Sequence, residues 1–221
     1  MQYTLRHPPR SKRITLKVEY PDQIMVSAPK RVSKKVIEKF IEQNQAWIQT
    51  QISKLKKRHD HVHSDHQVMI FGNPYQITHQ QLPAEKRLVF VHQQGLVVNL
   101  PDSSSIRTIK QEIKNFLKQA ARSYLYERTP QLAEQMKVNY KALKLKEQKT
   151  RWGSCSSQDN LNLNWRLVHY STPVIDYVII HELAHLVHRN HSRSFWKLVA
   201  QHCPEYKEHR SYLKRFGVTH T

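Results

Sequence analysis

The sequence predicts an α+β fold, in which a β-rich N-terminal part with one long basic helix precedes a more helical C-terminal part. Two patterns lead to this prediction. Most short segments that alternate apolar and polar residues, as strands do, come before residue 101. Beyond it, apolar residues recur mainly every three or four positions, which is typical of amphipathic helices. We therefore expect a β-rich region over 1–100 with a helix at 33–57, and a second domain over 101–221, unless 1–221 is one continuous domain.

The first predicted elements are a β-hairpin and a helix. Apolar and polar residues alternate over 14–18, and a second apolar segment at 24–26 follows a Pro-Asp turn. The helical pattern begins at Ser33, whose side chain can cap the helix. The opposite face of this helix is cationic, because residues 30–58 hold nine Lys or Arg and two Glu.

Further short strands and then a long helix follow. Turn residues separate four apolar segments that we predict as strands, at 68–71, 75–78, 88–91 and 96–100. The helical period then starts at Ile106. It ends at Pro130, which cannot continue a regular helix, or after a kink there at about Met136. A turn-like segment over 151–160 leads to one more predicted strand at 161–165.

The next helix, predicted over 173–189 and capped by Thr172, contains the motif HExxH. His181 and His185 are four residues apart, so their rings lie on one helix face and can converge on a single zinc ion. Glu182 then lies beside the metal, where it can accept a proton from a zinc-bound water. The motif predicts a zinc-dependent hydrolase, with Glu182 as general base.

A catalytic zinc site requires a third ligand, and two histidines compete for this role. His188 continues the helix face of His181, but each helical turn advances about 5.4 Å and carries its ring away from the metal. His191 follows Asn190, a residue that tolerates the left-handed conformation and can stop a helix, turning the chain back. We therefore predict His191 as the third ligand.

The segment before the last predicted strand holds further candidate site residues. A turn beside the zinc helix is a natural rim for substrate, where Arg151 can hold an anionic group and Ser154 is a second candidate for substrate binding. The alternative is a structural loop in which Arg151 pairs with a carboxylate. Cys155 is a less favoured fourth zinc ligand, because a closed site would be structural rather than catalytic.

Three segments together resemble a known family: RWGSC at 151–155, LNLNWRL at 161–167 and DYVIIHELAHLVHRNHSRSFW at 176–196. This combination is similar to the YgjP-like metallopeptidases, zincin-like metal-dependent hydrolases related to SprT-type domains. The resemblance is strongest over 149–216 and extends more weakly to the N-terminus.

The resemblance implies a zincin-like C-terminal part in which His181, His185 and His191 bind zinc and Glu182 is the general base. It leaves the substrate open. Peptide hydrolysis is the activity for which the family is named, and hydrolysis of nucleotide phosphoanhydrides has also been proposed within it.

The charge balance widens the choice of partners. The chain has 36 Lys and Arg against 17 Asp and Glu, a net charge of +19. Besides residues 30–58, the segment 107–151 is strongly basic, with 12 Lys or Arg and four Glu. Such an excess attracts anions. We keep two alternatives to a metallopeptidase acting on peptides or proteins: a metal-dependent nucleoside triphosphate pyrophosphatase or phosphohydrolase, and a nucleic-acid-associated binding protein or protease that uses its basic surface.

Other classes and locations can be weighed from the same sequence. No apolar stretch approaches the roughly 20 residues of a membrane span, and no apolar segment follows the basic N-terminus, so we expect a cytoplasmic protein without membrane contact. The two cysteines agree with a reducing compartment. The run HDHVHSDH at 59–66 is either an adventitious metal binder or, as we favour, a solvated linker. Oligomeric state is not indicated.

Overall fold

The computed structural model describes residues 3–9, 11–19, 23–64, 66–80, 88–100 and 104–216. Within these residues the chain forms three β-sheets and six α-helices, which confirms the predicted mixture of α and β structure. The chain divides into two compact units, one up to His61 and one from Val62 onward. This division differs from the boundary expected at residue 100, because strands between residues 63 and 99 contribute to the core of the second unit.

The first unit is a small sheet with two helices. Its strands are β1 (Thr4–Arg6), β2 (Thr15–Glu19) and β3 (Gln23–Ser27), in the order β1-β3-β2. The predicted hairpin is confirmed, since β2 and β3 pair antiparallel, and β1 adds to β3 in parallel. The helices are α1 (Lys34–Gln43) and α2 (Gln45–Val62). Their apolar faces share one core with the sheet, which includes Val26, Ile37 and Ile48.

The single helix predicted over 33–57 is therefore wrong, since the chain leaves helical geometry at Asn44. The side-chain amide of Asn44 donates a hydrogen bond to the carbonyl of Phe40 at 2.8 Å. Asparagine competes in this way for backbone partners and favours helix ends. Ser33 occupies the N-cap position of α1, but its side chain makes no capping hydrogen bond. The side chains of residues 59–65 in the His-rich run lie outside the described residues.

The second unit begins with a five-stranded sheet of order β4-β5-β6-β8-β7. The strands are β4 (His63–Ser64), β5 (Gln67–Ile70), β6 (Asn73–Gln80), β7 (Leu88–His92) and β8 (Gly95–Asn99). All four strands predicted in this region are present. β6 and β8 run parallel, and the other pairs are antiparallel.

Helix α3 (Ile106–Met136) follows, and it continues through Pro130 to the later of the two predicted ends. Ser105 caps it by accepting a hydrogen bond from the backbone N–H of Thr108 at 3.1 Å. A second sheet then forms from β9 (Ala142–Lys146), β10 (Gly153–Cys155) and β11 (Asn160–Asn164), in the order β10-β11-β9. The turn predicted over 151–160 thus contains a strand.

A short 3₁₀ helix (Trp165–His169) leads to α4 (Thr172–Val187), α5 (Arg193–His202) and α6 (Tyr206–Phe216). Trp165, predicted as the last residue of the preceding strand, belongs to the 3₁₀ helix. α4 is the central helix of the core, and its residues Ile175, Ile179 and Leu183 are fully buried. Each buried side chain of this size contributes about 1.5–3 kcal/mol of hydrophobic stabilisation. No helix among the described residues is both long and apolar enough to span a membrane.

Candidate metal centre

Three histidine side chains meet at the C-terminal end of α4. His181 and His185 project from the helix, and His191 lies in the link between α4 and α5. One ring nitrogen from each lies within 4.8 Å of the others. The Nε2 atoms of His181 and His191 are 3.0 Å apart. Three imidazole donors converging on one point are a donor set that suits a single zinc ion with an open fourth position.

The protonation of these rings also fits a metal site, because ligating imidazoles must be neutral. Burial lowers the pKa of His181 to about 3, with the neighbouring His185 and His191 rings adding to the effect. Burial lowers the pKa of His185 as well. Both rings are therefore neutral at neutral pH, with lone pairs available for a metal.

The end of α4 determines which histidine joins the cluster. His188 ends the helix with extended backbone angles (φ −127°, ψ 104°). The expectation that Asn190 stops the helix in a left-handed conformation is wrong, since its φ is not positive. α5 then begins at once, with the Ser192 hydroxyl accepting a hydrogen bond from the N–H of Phe195 at 3.3 Å. His191 is held between these two helix ends.

His188 contributes through its backbone instead of its ring. The Nδ1 atom of His185 lies 3.1 Å from the carbonyl oxygen of His188. A carbonyl only accepts, so Nδ1 must carry the proton and the lone pair is on Nε2. Such a hydrogen bond fixes the tautomer and orientation of a ligating histidine.

An aromatic wall restrains the three rings. The ring of Phe195, which is fully buried, lies 5.0, 4.6 and 4.8 Å from the rings of His181, His185 and His191. Trp196 stacks on His191 at 5.5 Å. α5 therefore packs directly behind the histidine cluster and limits the positions its rings can adopt.

Glu182 is the carboxylate beside this cluster. It is only 6% exposed, and its burial raises its pKa to about 8, while the positive charge of Arg151 opposes this shift. A carboxylate whose pKa lies near neutrality is suited to exchange protons during a reaction.

Gly153 of β10 packs directly on that carboxylate. A Cβ atom on Gly153 would lie 2.6 Å from Cγ and 2.7 Å from Oε1 of Glu182, much closer than van der Waals contact. Sequence reasoning missed this residue. The only signal was a glycine within RWGSC, and nothing in that segment indicates what the glycine approaches.

One edge of β10 is unpaired within the described part of the chain. Trp152 accepts a backbone hydrogen bond from Asn164, and Ser156 donates one to Asn160. Alternate residues of a strand direct their backbone groups to the same side. The backbone groups of Gly153, which lies between Trp152 and Ser154, therefore face the unpaired edge.

A cavity of about 430 Å³ adjoins Glu182 and His181. Its wall includes residues from the segment that leads into β10, from β10 itself, from α4 and from α6: Thr150, Arg151, Trp152, Gly153, Tyr177, Val178, His181, Glu182, Arg210, Leu213 and Lys214. Arg151 lines this cavity, and its role in substrate binding stays a prediction. Ser154 does not line the cavity, because its side chain faces the other side of the strand, where Asn162 donates a hydrogen bond to it at 3.2 Å.

Cys155 stands apart from the three histidines. Among the described residues, the group able to hold a metal contains no cysteine. Burial raises the pKa of Cys155, and the guanidinium of Arg189 lies 3.5 Å from its sulfur. Arg189 also donates to the carbonyl of Ser156 at 2.7 Å and pairs with Asp159, so it ties the α4–α5 link to the β10–β11 turn.

Part of the basic segment 107–151 is neutralised within the protein. Lys114 and Lys118 each form an ion pair of 2.8 Å with Glu147, which also pairs with Arg166. Burial alone would raise the pKa of Glu147, but these hydrogen bonds and charges outweigh it and lower the pKa to about 2. These cations stabilise the fold and are less available to a polyanion.

The fold and the site together define a mixed α and β protein with a three-histidine centre and a buried carboxylate beside it, the arrangement of a metal-dependent hydrolase. The sequence model of the YgjP-like metallopeptidase domain matches residues 12–216, and the chain belongs to this family.

Comparison with curated proteins finds no match. Among solved structures, the metallopeptidase zymogen abylysin of Pyrococcus abyssi is similar, with 21% identity and a TM-score of 0.38, over 41% of this chain and 93% of its own. The metallopeptidase zymogen jannalysin of Methanocaldococcus jannaschii is similar at 21% identity and a TM-score of 0.35, over 41% of this chain and 95% of its own.

Proposed function

We propose that this protein is a zinc-dependent peptidase in which His181, His185 and His191 hold the metal and Glu182 is the general base. The observation that carries this proposal is the convergence of three imidazoles within 4.8 Å, with the buried Glu182 carboxylate on the helix that supplies two of them. When bound there, zinc would lower the pKa of a water to roughly 7 and polarise the substrate carbonyl.

The chain's own residues carry out the proton transfers. Glu182 accepts a proton from the attacking water and passes it to the amine nitrogen as the C–N bond breaks, so the products are a carboxylic acid and an amine. Gly153 positions the Glu182 carboxylate, because this carboxylate occupies the space that a side chain at residue 153 would need.

The unpaired edge of β10 supports a peptide as the substrate. An extended peptide can add to such an edge by backbone hydrogen bonds, without any particular side chain. The edge includes the backbone of Gly153, which lies directly against the side chain of Glu182. A peptide added there would have its backbone next to the general base. A nucleoside triphosphate has no backbone that could use this edge.

Loading the purified protein with zinc and offering it unfolded peptides and nucleoside triphosphates tests the proposal. We expect about one zinc per chain and cleavage of peptides. Glu182→Gln should keep its zinc and lose activity by 100-fold or more, since the amide cannot accept the proton. Glu208→Gln, which changes an exposed carboxylate on α6, is the matched control and should behave like the wild type.

Two results would contradict the proposal. One is a Glu182→Gln variant that is as active as the wild type, which would exclude this carboxylate as the base. The other is turnover of triphosphates without cleavage of any peptide, which would favour the phosphohydrolase alternative. Binding of nucleic acid that weakens steeply with salt, with neither activity, would favour the binding-protein alternative.

A further inference from the structure

Three cationic side chains surround the cavity beside Glu182. Arg151 comes from the segment just before β10, and Arg210 and Lys214 come from successive turns of α6. None of the three forms an ion pair with any residue that the structure describes, in contrast to the lysines around Glu147. The only carboxylate in the described cavity wall is Glu182. The cavity therefore carries an excess of at least two positive charges that the described residues leave unmatched.

Aromatic packing limits the freedom of one of these cations. The guanidinium of Arg210 lies 4.6 Å from the ring centroid of Trp196, which in turn stacks on Tyr206 at 5.3 Å. Trp196 also stacks on His191. This stacking keeps the guanidinium near the histidine cluster and leaves its edge, with its N–H donors, available for a hydrogen-bonding partner.

The second guanidinium, that of Arg151, lies two residues before β10 in the chain. Arg151, Gly153 and Glu182 all line the same cavity. A peptide that pairs with the edge at Gly153 would therefore lie close to Arg151. One of its side chains, or its chain end, would then reach the cationic cavity.

We propose that this cavity is a subsite for a carboxylate of the peptide substrate, supplied by an Asp or Glu side chain or by the chain's C-terminus; this inference rests on the proposed peptidase function. A guanidinium offers paired N–H donors that match the two oxygens of a carboxylate. A cavity of about 430 Å³ is large enough for one such group. A Lys or Arg side chain in the same place would meet like charges and be rejected.

Matched peptides test this inference. One series places Glu, Gln or Lys at each position near the cleaved bond, and a second compares free with amidated C-termini. We expect kcat/KM to be at least about tenfold higher for the peptide with the carboxylate, the value of a single charge-assisted hydrogen bond. A preference for Glu in the first series would show that a side-chain carboxylate binds in the cavity. A preference for the free C-terminus in the second series would show that the terminal carboxylate binds there.

Charge-removing variants identify the residues responsible. Arg210→Gln and Lys214→Gln should each reduce the ratio of kcat/KM between acidic and neutral peptides, and Arg210→Glu should shift the preference toward the Lys peptide. Lys207→Gln removes an exposed charge from the same helix outside the cavity wall and should leave the ratio unchanged. The side chain of Lys214 is exposed, so the Lys214→Gln variant should fold even if removal of the Arg210 stack on Trp196 prevents folding.

Two readouts separate this inference from the proposed function. If peptides are cleaved equally well whatever their charge, the carboxylate subsite is refuted while the peptidase stands. Equilibrium binding of fluorescent peptides to zinc-loaded Glu182→Gln is independent of turnover, and we expect the acidic peptide to bind about tenfold more tightly than its neutral match. Equal binding, or adenosine triphosphate displacing the acidic peptide at far lower concentration than the unlabelled peptide does, would overturn the assignment.

Discussion

The close approach of Gly153 to Glu182 leads to a specific prediction. A methyl group added at Gly153 would meet the carboxyl group of Glu182 first. In Gly153→Ala, the new Cβ would lie 2.6 Å from Cγ and 2.8 Å from Cδ of Glu182. The backbone of Gly153 is not in the left-handed region, so alanine is not strained there for its own sake. The carboxyl group must therefore move.

The size of the effect follows from the distances. Ordinary carbon contacts begin near 3.4 Å, so the Glu182 carboxyl group has to shift by roughly 1 Å, and a misplacement of this size can cost 100-fold in rate. A 100-fold loss corresponds to about 2.7 kcal/mol of activation free energy. The three atoms nearest to the new methyl group all belong to Glu182, and none belongs to a histidine. We expect kcat to fall about 100-fold while zinc content and KM change little.

The assay is steady-state cleavage of a peptide that the wild type cleaves, with zinc content and thermal unfolding measured on the same samples. Gly95→Ala is the matched control, since a Cβ there meets no atom closer than 3.4 Å. A Gly153→Ala variant with the kcat of the wild type would contradict this prediction, because the reaction would then not depend on the position of the Glu182 carboxylate. Loss of zinc together with activity would show that the glycine supports the fold of the site instead.

Other predictions concern the metal, the ion pairs and the core. His191→Ala should lose zinc in a metal assay while His188→Ala keeps it, because His188 contributes only its carbonyl; the opposite result would exchange their roles. Glu147→Gln should lower the melting temperature at neutral pH, and the difference from wild type should shrink as pH falls from about 4.5 to about 2, because protonation removes the same charge. A difference that persists at pH 2 would contradict this. Leu183→Ala should cost about 2–5 kcal/mol in denaturant unfolding, and a cost near zero would mean the site is not close-packed.

Features that depend on local spacing could be predicted from the sequence. The α4 histidines are four residues apart, so any helix brings them to one face, and the strand segments showed a period of two. The break at Asn44 was missed, because the apolar pattern continues across it while a single side-chain hydrogen bond ends the helix. β10 was missed as well, because a three-residue strand exists only through its pairing with β11.

The ring of His191 lies beside that of His181, and its role as a metal ligand stays a prediction. The expected cause of this placement was wrong. The turn that brings it there comes from the extended backbone of His188 and the immediate start of α5, and not from a left-handed Asn190. Several local conformations can close the same gap, and the packing of His191 against Phe195 and Trp196 depends on tertiary structure that the local sequence does not indicate.

Residue type and helical periodicity were enough to predict that His181 and His185 share one face of a helix, with Glu182 beside them along the chain. The residues that surround these side chains follow from tertiary packing alone. Gly153 lies 29 residues before Glu182 in the chain, and Arg210 and Lys214 lie 28 and 32 residues after Glu182. Contacts over such separations depend on how helices and strands pack together. No local pattern in the sequence indicates which arginine, lysine or glycine will face the site.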